Sequence, residues 1–490
     1  MSRLDTTPSW FQGQPGGVRI PDAKTPAPGF GVAVADLTGD DMLDIYLPVY
    51  EGFDVLLVRQ PDGSFADEAA ERGLHALGEM ATDAVVPADF DGDRELDLLV
   101  LQRRRENVVM INDGGYFTAV PSKGWEGEEV DTIGAAVADM DLDGDLDVAT
   151  ASYQPLVVDD TMGGFNELWE NTAEGWVDRR DWIPEDTQGA NTFVVGFLDL
   201  DEDGYPDLYS ANDHGARDIP NVFLAGTGAG FVDRSDETYL GVALDAMGLA
   251  VGDLNGDLAP DVVVSNWGPL FALESAGDGT WYETGVARGL SLYADNGNSY
   301  ITWGLSLGDA DNDGDEDLHV ASGPVGVAIS GVNPGNQPDA LFMREGDAFV
   351  DRAAEWGVAH EGVNRGLITA DLDRDGTLDR VVRDVNGSAV GFRGACNENS
   401  WLIVELDQQG TLNRFAIGAK ITARADKAQA RWMQAGGISV ASAGPPEVHF
   451  GFGSVERVDE LTVRWPDGHE TTLHDVATRQ RLRIVRKAFY

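Results

Sequence analysis

Along most of the chain, short apolar runs bracket short acidic ones. Gly31-Val-Ala-Val-Ala35, Gly134-Ala-Ala-Val-Ala138, Gly248-Leu-Ala-Val-Gly252 and Gly304-Leu-Ser-Leu-Gly308 each precede an acidic nonapeptide. Leu43-Asp-Ile-Tyr-Leu47, Leu96-Asp-Leu-Leu-Val100 and Pro260-Asp-Val-Val-Val264 each follow one. Such short aliphatic segments read as buried strands. A third run comes next (Asn107-Val-Val-Met, Asn221-Val-Phe-Leu), then a turn such as Pro61-Asp-Gly-Ser or Gly277-Asp-Gly-Thr. An aromatic then opens a fourth strand: Phe65, Phe117, Trp176, Phe231, Trp281 or Phe349.

The nonapeptide, Asp-x-Asp-x-Asp-x-x-x-Asp, begins at Asp36, Asp89, Asp139, Asp199, Asp253, Asp309 and Asp371, at offsets of 53, 50, 60, 54, 56 and 62 residues. A period of this size belongs to a solenoid, propeller or array. Four strands per period and seven periods predict an all-β chain with a seven-bladed β-propeller over residues 1–395. Residues 396–490 contain no further loop of this kind and are expected to form a small β-rich second domain. Its strands are Trp401-Leu-Ile-Val-Glu-Leu, Ile417 to Ala423, Glu460-Leu-Thr-Val-Arg-Trp and Gln480-Arg-Leu-Arg-Ile-Val. No low-complexity linker separates the two units, so they are expected to pack together.

Carboxylates at positions 1, 3, 5 and 9 of a tight loop suit a hard cation such as Ca²⁺, which takes 6–8 oxygen ligands. Four loops have Asp at all four positions and Gly at position 6: Asp139/Asp141/Asp143/Asp147, Asp199/Asp201/Asp203/Asp207, Asp309/Asp311/Asp313/Asp317 and Asp371/Asp373/Asp375/Asp379. The second, Asp89/Asp91/Asp93/Asp97, has Arg94 at position 6; the first, Asp36/Thr38/Asp40/Asp44, and the fifth, Asp253/Asn255/Asp257/Asp261, each lack one carboxylate. These three carry Gly at position 4 instead (Gly39, Gly92, Gly256), so every loop has one glycine to relieve its turn. An EF-hand would need flanking helices and Glu at position 12; the third loop has Thr150 there, between strand-like flanks. Up to seven structural Ca²⁺ ions are expected, fastening the loops rather than doing chemistry.

Charge supports this reading. Lys plus Arg is 34 and Asp plus Glu 85, a formal charge of −51. Seven Ca²⁺ would bring −51 to −37. So acidic a chain repels phosphate backbones and anionic membrane surfaces, which argues against nucleic-acid and membrane partners. No run is long and apolar enough to span a bilayer. The single cysteine, Cys396, allows no intramolecular disulfide and no cysteine-based zinc site. The N-terminal stretch has no apolar core of a signal peptide, which leaves open a cytoplasmic protein or a sequence that begins after processing. A monomer is expected.

The seven loops with their apolar flanks resemble the FG-GAP/VCBS repeats of integrin-α-type propellers. The second domain resembles the ASPIC/UnbV domain through Asn413-Arg414 with Ile417-Gly-Ala419, Gly436-Gly-Ile-Ser439, Glu447-Val-His-Phe-Gly-Phe-Gly453 and Val463-Arg-Trp-Pro-Asp-Gly468. The order resembles that of the cartilage acidic protein family and its bacterial relatives, and Ala211-Asn-Asp-His-Gly215 resembles that family's fourth blade. The resemblance implies an extracellular or periplasmic, calcium-binding, adhesion- or matrix-type protein; UnbV relatives also occur in enediyne biosynthesis. Phe415-Ala416 and Phe452 depart from the family pattern.

None of the seven histidines falls in a catalytic motif. Asp213 and His214 are catalytic candidates beside the plainer reading of a turn histidine. The repeat suggests another site. Five residues before the first Asp the chain usually has Gly; six before, it has Phe30, Asp83, Ile133, Phe193, Met247, Trp303 and Arg365. Inner strands of a propeller run along its axis, so these unlike side chains should gather at one mouth and offer a ligand pocket, with Asp83 and Arg365 as acid–base or anchoring groups. The plainer reading is packing between blades. Two functions follow: a binding or adhesion module for a protein, glycan or small ligand, or a biosynthetic enzyme of cyclase or lyase type using the mouth.

Overall fold

The structure is a computed structural model that describes residues 18–19, 29–50, 52–120, 131–153, 164–325, 335, 337–385, 389–395 and 397–487. Cys396 lies outside these residues. The chain is all-β, as its pattern predicts.

Each acidic loop joins the first two strands of an up-and-down sheet. The first sheet is Ala33–Ala35, Asp44–Leu47, Val55–Arg59 and Phe65–Asp67, and sheets begin again at Thr82, Thr132, Asn191, Leu249, Thr302 and Asn364. Propeller-like, the sheets follow one another and return on themselves. Gly366 N–H of the seventh donates to Phe30 O, beside the first (2.9 Å), and Arg59 Nη1 of the first donates to Leu372 O (2.7 Å). The outer strand of the seventh sheet comes from the other end of the sequence: Val18–Arg19 pairs antiparallel with Val390 and Gly391.

The recurrent glycine has a steric cause. A methyl group added at Gly31, Gly134, Gly304 or Gly366 would stand 3.0, 3.1, 2.5 or 2.8 Å from the carbonyl oxygen of Asp83, Phe193, Arg365 or Phe30, in the next sheet round the ring. At Gly248 it would overlap the carbonyl of Trp303. Inner strands therefore approach backbone to backbone, which a side chain would prevent. The position just before is special too. Register shifts fall between Thr82/Ala84, Thr132/Gly134, Thr192/Val194, Thr302/Leu305 and Asn364/Leu367. Asp83, Ile133, Phe193, Trp303 and Arg365 thus sit in bulges, which re-aim a side chain out of the pleat. A polar latch repeats beneath them. Thr82 Oγ1 donates to Asp54 Oδ2 (2.8 Å), Asn107 Nδ2 to Thr132 Oγ1 (3.3 Å), Asn166 Nδ2 to Thr192 Oγ1 (3.0 Å) and Asn364 Nδ2 to Asp339 Oδ1 (2.9 Å), each between neighbouring sheets.

The C-terminal strands form two sheets. Ser400–Gln408 lies between Val448–Gly453 and, in parallel, Gln480–Arg486; the other sheet runs Ala428–Trp432, Lys420–Arg424, Arg457–Arg464, Glu470–Ala477. This domain covers the loop end of the ring. Leu412 and Asn413 N–H both donate to Gly144 O (2.8 and 2.9 Å), Gly453 N–H to Asn312 O (2.7 Å), and Asn397 Nδ2 and Asn399 Nδ2 to Asp311 O (2.7 and 2.8 Å). From it a tongue enters the ring along the inner strands. Ala435–Gly436 pairs with Ala136 and Val137; Ser439 N–H donates to Leu249 O (2.7 Å), Ala443 N–H to Val32 O (3.1 Å), and Ser439 Oγ accepts from Leu367 N–H (3.2 Å). Four of the seven inner strands thus hold one segment, whose Val440 is fully buried.

Replacing Gly248 by Ala should cost about 3 kcal/mol or more, because the methyl would stand 2.1 Å from the backbone oxygen of Trp303. Gly277→Ala, with φ of 74° in open space, should cost only about 1 kcal/mol of backbone strain. Urea denaturation of the two variants reads the difference; equal costs would remove the close-approach account of the glycine.

Candidate metal loops and mouth site

In all seven loops the same backbone bonds hold the carboxylates. The last Asp receives the N–H of position 2 on one oxygen and an N–H from the end of the third strand, or just past it, on the other, at 2.7–3.1 Å throughout. The first Asp receives the N–H of position 6 at 2.7–3.3 Å. Asp44, Asp97, Asp147, Asp207, Asp261, Asp317 and Asp379 therefore stitch loop to sheet whatever else they bind.

Each loop turns twice through the left-handed region. Position 4 is Gly39, Gly92, Leu142, Glu202, Gly256, Asn312 or Arg374, and position 6 is Asp41, Arg94, Gly144, Gly204, Leu258, Gly314 or Gly376, all at φ between 59° and 101°. Glycine always takes one of the two positions, and the other carries a strained side chain. This is why the sequence offers glycine at two alternative places.

The donor set fits a hard cation. One oxygen each of Asp89, Asp91 and Asp97 lie within 4.8 Å of one another, as do those of Asp139, Asp141 and Asp147, of Asp309, Asp311 and Asp317, and of Asp199, Asp201 and Asp203. Asp139 Oδ1, Asp373 Oδ1 and Thr38 Oγ1 are buried without a hydrogen-bond partner, the condition a cation relieves. Burial, then the neighbouring Asp143 and Asp141, push Asp139 up to about 7; burial pushes Asp309 up to about 8. A divalent ion would draw both back toward ionisation. In the fourth and seventh loops guanidiniums also reach carboxylates at the ligand positions. Arg464 Nη2 is 2.7 Å from Asp199 Oδ2, and Arg393 Nη2 is 2.9 and 2.8 Å from Asp373 Oδ2 and Asp375 Oδ2.

At position 5 the turn itself uses part of the carboxylate. Position 5 is exposed in six loops, as Asp40, Asp93, Asp143, Asp203, Asp257 and Asp313. In every loop its Oδ1 accepts the N–H of position 7, at 2.7–3.1 Å. Asp40 and Asp93 are thus solvent-facing caps of their own turns, and each has at most one uncommitted oxygen to offer an ion. The oxygens gathered in the second loop do not include Asp93. The fifth loop closes on itself. Asn255 Oδ1 accepts Asp257 N–H (2.9 Å), and Asn255 Nδ2 donates to Asp257 Oδ2 (3.1 Å). Asn255 and Asp257 therefore satisfy each other, and an ion there must displace the amide. Residue type at fixed spacing showed the oxygens, but not that the turn's own N–H groups compete for them.

At the opposite end of the inner strands the mouth positions converge. The rings of Phe30 and Phe193 meet Trp303 edge-on at 6.4 and 5.6 Å, and the Arg365 guanidinium lies 3.7 Å from the Trp303 centroid and 5.8 Å from Phe30. Ile133, Met247, Phe193 and Trp303 belong to one buried cluster. Asp83 is not a free acid. It is fully buried, and Arg103 Nε and Nη2 both donate to it at 2.9 Å. Its carboxyl is raised by burial against the opposing pull of Arg103, and the pair reads as structural.

Asp213 and His214 stand at the same end, with companions the sequence did not single out. Tyr153 packs on Phe193 at 4.4 Å and donates its hydroxyl to Asp213 Oδ2 (2.9 Å). His214 Nε2 lies 3.3 Å from Asp213 Oδ2 and its Nδ1 3.4 Å from Asp245 Oδ1; Arg217 Nη2 is 2.7 Å from Nδ1. Asp245 first, and Asp213 after it, raise the imidazole above its ordinary value, and burial raises Asp213. His449 is half-buried with Nε2 3.1 Å from Gly376 O, and desolvation of its ring pushes it down to about 4.

Asp83→Ala should lower stability by about 3 kcal/mol, because it strands Arg103 beside a buried cavity. Urea unfolding at saturating Ca²⁺ measures this; a change below about 1 kcal/mol, the surface range, would return Asp83 to the list of free site groups.

Known families match both halves. The ASPIC and UnbV family matches residues 409–488, and the FG-GAP-like repeat matches residues 89–150, 199–264 and 253–320. Human cartilage acidic protein 1 is 24% identical over 90% of this chain and 69% of its own length, and the Xenopus tropicalis protein of the same name 22% identical over 79% and 70%. Among solved structures, Saccharomyces cerevisiae Sqt1 overlaps 78% of this chain and 99% of its own at 9% identity and a TM-score of 0.46. An Agrocybe aegerita protein that recognises terminal N-acetylglucosamine overlaps 72% and 88% at 14% identity and a TM-score of 0.42. Neither overlap is close enough to bear on function. The chain carries FG-GAP-like repeats followed by an ASPIC and UnbV domain, and is similar to cartilage acidic protein 1 along most of its length.

Proposed function

We propose that the chain is a calcium-stabilised β-propeller binding module, with Ca²⁺ in the acidic loops and the ligand at the mouth. The observation that carries this reading is the contrast between the two ends. One end repeats a single oxygen-rich loop seven times and lies under the C-terminal domain. The other gathers unlike side chains, one per inner strand. Copies of one fastening device serve architecture, whereas unlike groups around one axis suit an asymmetric ligand. The similarity to cartilage acidic proteins supports an extracellular or periplasmic setting, and no helix among the described residues is long and apolar enough to cross a membrane.

A second reading has one observation in its favour. Tyr153, Asp213, His214 and Asp245 form a chain of proton donors and acceptors beside the mouth, as a cyclase or lyase would need. On that reading His214→Ala abolishes turnover without loss of Ca²⁺.

Verified removal of Ca²⁺ with EGTA should lower the Tm markedly, since an ion that binds only the folded state stabilises it by mass action. An unchanged Tm would sink the calcium reading. Asp143→Ala and Asp313→Ala should each lose one bound ion in equilibrium dialysis. The first and fifth loops, with three carboxylates each, should empty first as Ca²⁺ becomes limiting. Both have a strained residue at position 6, but every other loop has its own strained position. The order therefore rests on carboxylate number and, in the fifth loop, on the Asn255 amide that already holds Asp257.

A further inference from the structure

The charged groups at the mouth are unequal. Asp83 has a guanidinium partner, and Asp213 has a tyrosine and a histidine. Arg365 has no carboxylate within ion-pair distance among the described residues. It is 5% exposed; Nη1 donates to Asn364 O (2.8 Å), Nη2 reaches Pro324 O (3.4 Å), and Nε is buried with no partner. A guanidinium held only by carbonyls and ring faces keeps its full positive charge uncompensated. Burial pushes it down to about 9, with Asp384 opposing from a distance. Elsewhere in the same sheet a buried arginine is matched: Arg380 lies 3.0 Å from Asp339.

We propose that the mouth takes an organic carboxylate, whose anionic group is met by Arg365 and whose apolar body lies along the arc Trp303, Phe193 and Tyr153. The inference rests on the mouth being the ligand site and adds the ligand's class. The arc is continuous. Arg365 stacks on Trp303, Trp303 meets Phe193, Phe193 packs on Tyr153, and Tyr153 leads to Asp213 and His214. A carboxylate at one end therefore leaves the remainder of the ligand on aromatic faces, with a proton-exchanging pair at the far end. Arginine suits the first role because its planar fork pairs with a carboxylate in two parallel bonds.

A residue kept for a ligand and not for the fold leaves a signature in the ligand-free protein. Arg365→Met removes an uncompensated charge while keeping a long side chain over Trp303. The Ca²⁺-saturated variant should melt at the wild-type temperature or above it, as sites that trade stability for function do. A fall of more than roughly 2 °C, a shift that only a clear loss of stability produces in a chain this long, would make Arg365 a structural residue and overturn the assignment. The direct test is calorimetry with indole-3-acetate, 4-phenylbutyrate and octanoate, each beside its carboxamide. Wild type should bind at least one acid about tenfold or more tighter than its amide, a preference worth about 1.4 kcal/mol, and Arg365→Met should lose that preference. Acids and amides binding alike would overturn the carboxylate while leaving the mouth as a site. If no acid or amide bound, the mouth reading would fall, and the inference with it.

Discussion

The fold is governed by the repulsion of like charges crowded at one end of a ring. Residues 396–490 hold 12 Lys and Arg against 11 Asp and Glu, so their charge is 12 − 11 = +1, and residues 1–395 carry −51 − 1 = −52. Two unit charges 4 Å apart repel by about 4 kcal/mol at the effective dielectric of a protein surface, and each loop holds three or four such groups. Three kinds of partner oppose this. Backbone N–H groups bind every first, fifth and last position of the nonapeptide. Basic side chains from the C-terminal domain reach the loops: Arg464 to Asp199, Lys427 to Asp315 at 2.6 Å and Arg431 to Glu316 at 3.2 Å. The remaining oxygens, among them the unpartnered Asp139 Oδ1 and Asp373 Oδ1, are the ones a divalent ion would satisfy.

That constraint explains why a near-neutral domain sits where it does. It lies over the most acidic face and sends a tongue into the ring, bonded to inner strands of the first, third, fifth and seventh sheets. A single hydrophobic cluster joins Trp465 and Phe450 of this domain to Trp303 and Met247 of the ring. The two units are therefore one packed body although the sequence divides them cleanly. Gly436 and Gly437, which resemble part of a family motif, owe their place to this contact. A methyl at Gly437 would stand 2.8 Å from Gly196 Cα, between two inner strands.

Much of this was legible in the sequence because it repeats. Seven loops in register reveal the strands on either side, and the aromatic that opens the fourth strand marks the sheet edge. The recurrent glycine was visible, but not its cause, which is the carbonyl of a residue more than fifty positions away. The Thr82, Thr132, Thr192 and Thr302 hydroxyls recur at a constant distance from the loops and could have been found by the same alignment of repeats. Within the loops the pattern named the carboxylates but not their division of labour, since Asp40, Asp93 and Asp257 each give one oxygen to the turn. What could not be read were partners that occur once. Arg103 for Asp83, Tyr153 and Asp245 around His214, and Val18–Arg19 as the last strand lie in no repeated frame. They are set by tertiary proximity, which local pattern does not encode.

The mouth joins the two kinds of information. In five of the seven sheets its residue sits in a bulge, released from ladder pairing, so the scaffold sets the direction of the side chain without fixing its identity. Release from pairing is not freedom from packing. Asp83, Ile133, Phe193, Trp303 and Arg365 are all buried, and a symmetric ring could satisfy itself most simply with one aliphatic residue at every copy. It instead holds an acid that needs Arg103, a guanidinium without a carboxylate and two aromatic rings. A scaffold that repeats its glycine, hydroxyl and loop but not the residue between them has confined its asymmetry to one small region, and that confinement is what the proposed ligand site rests on.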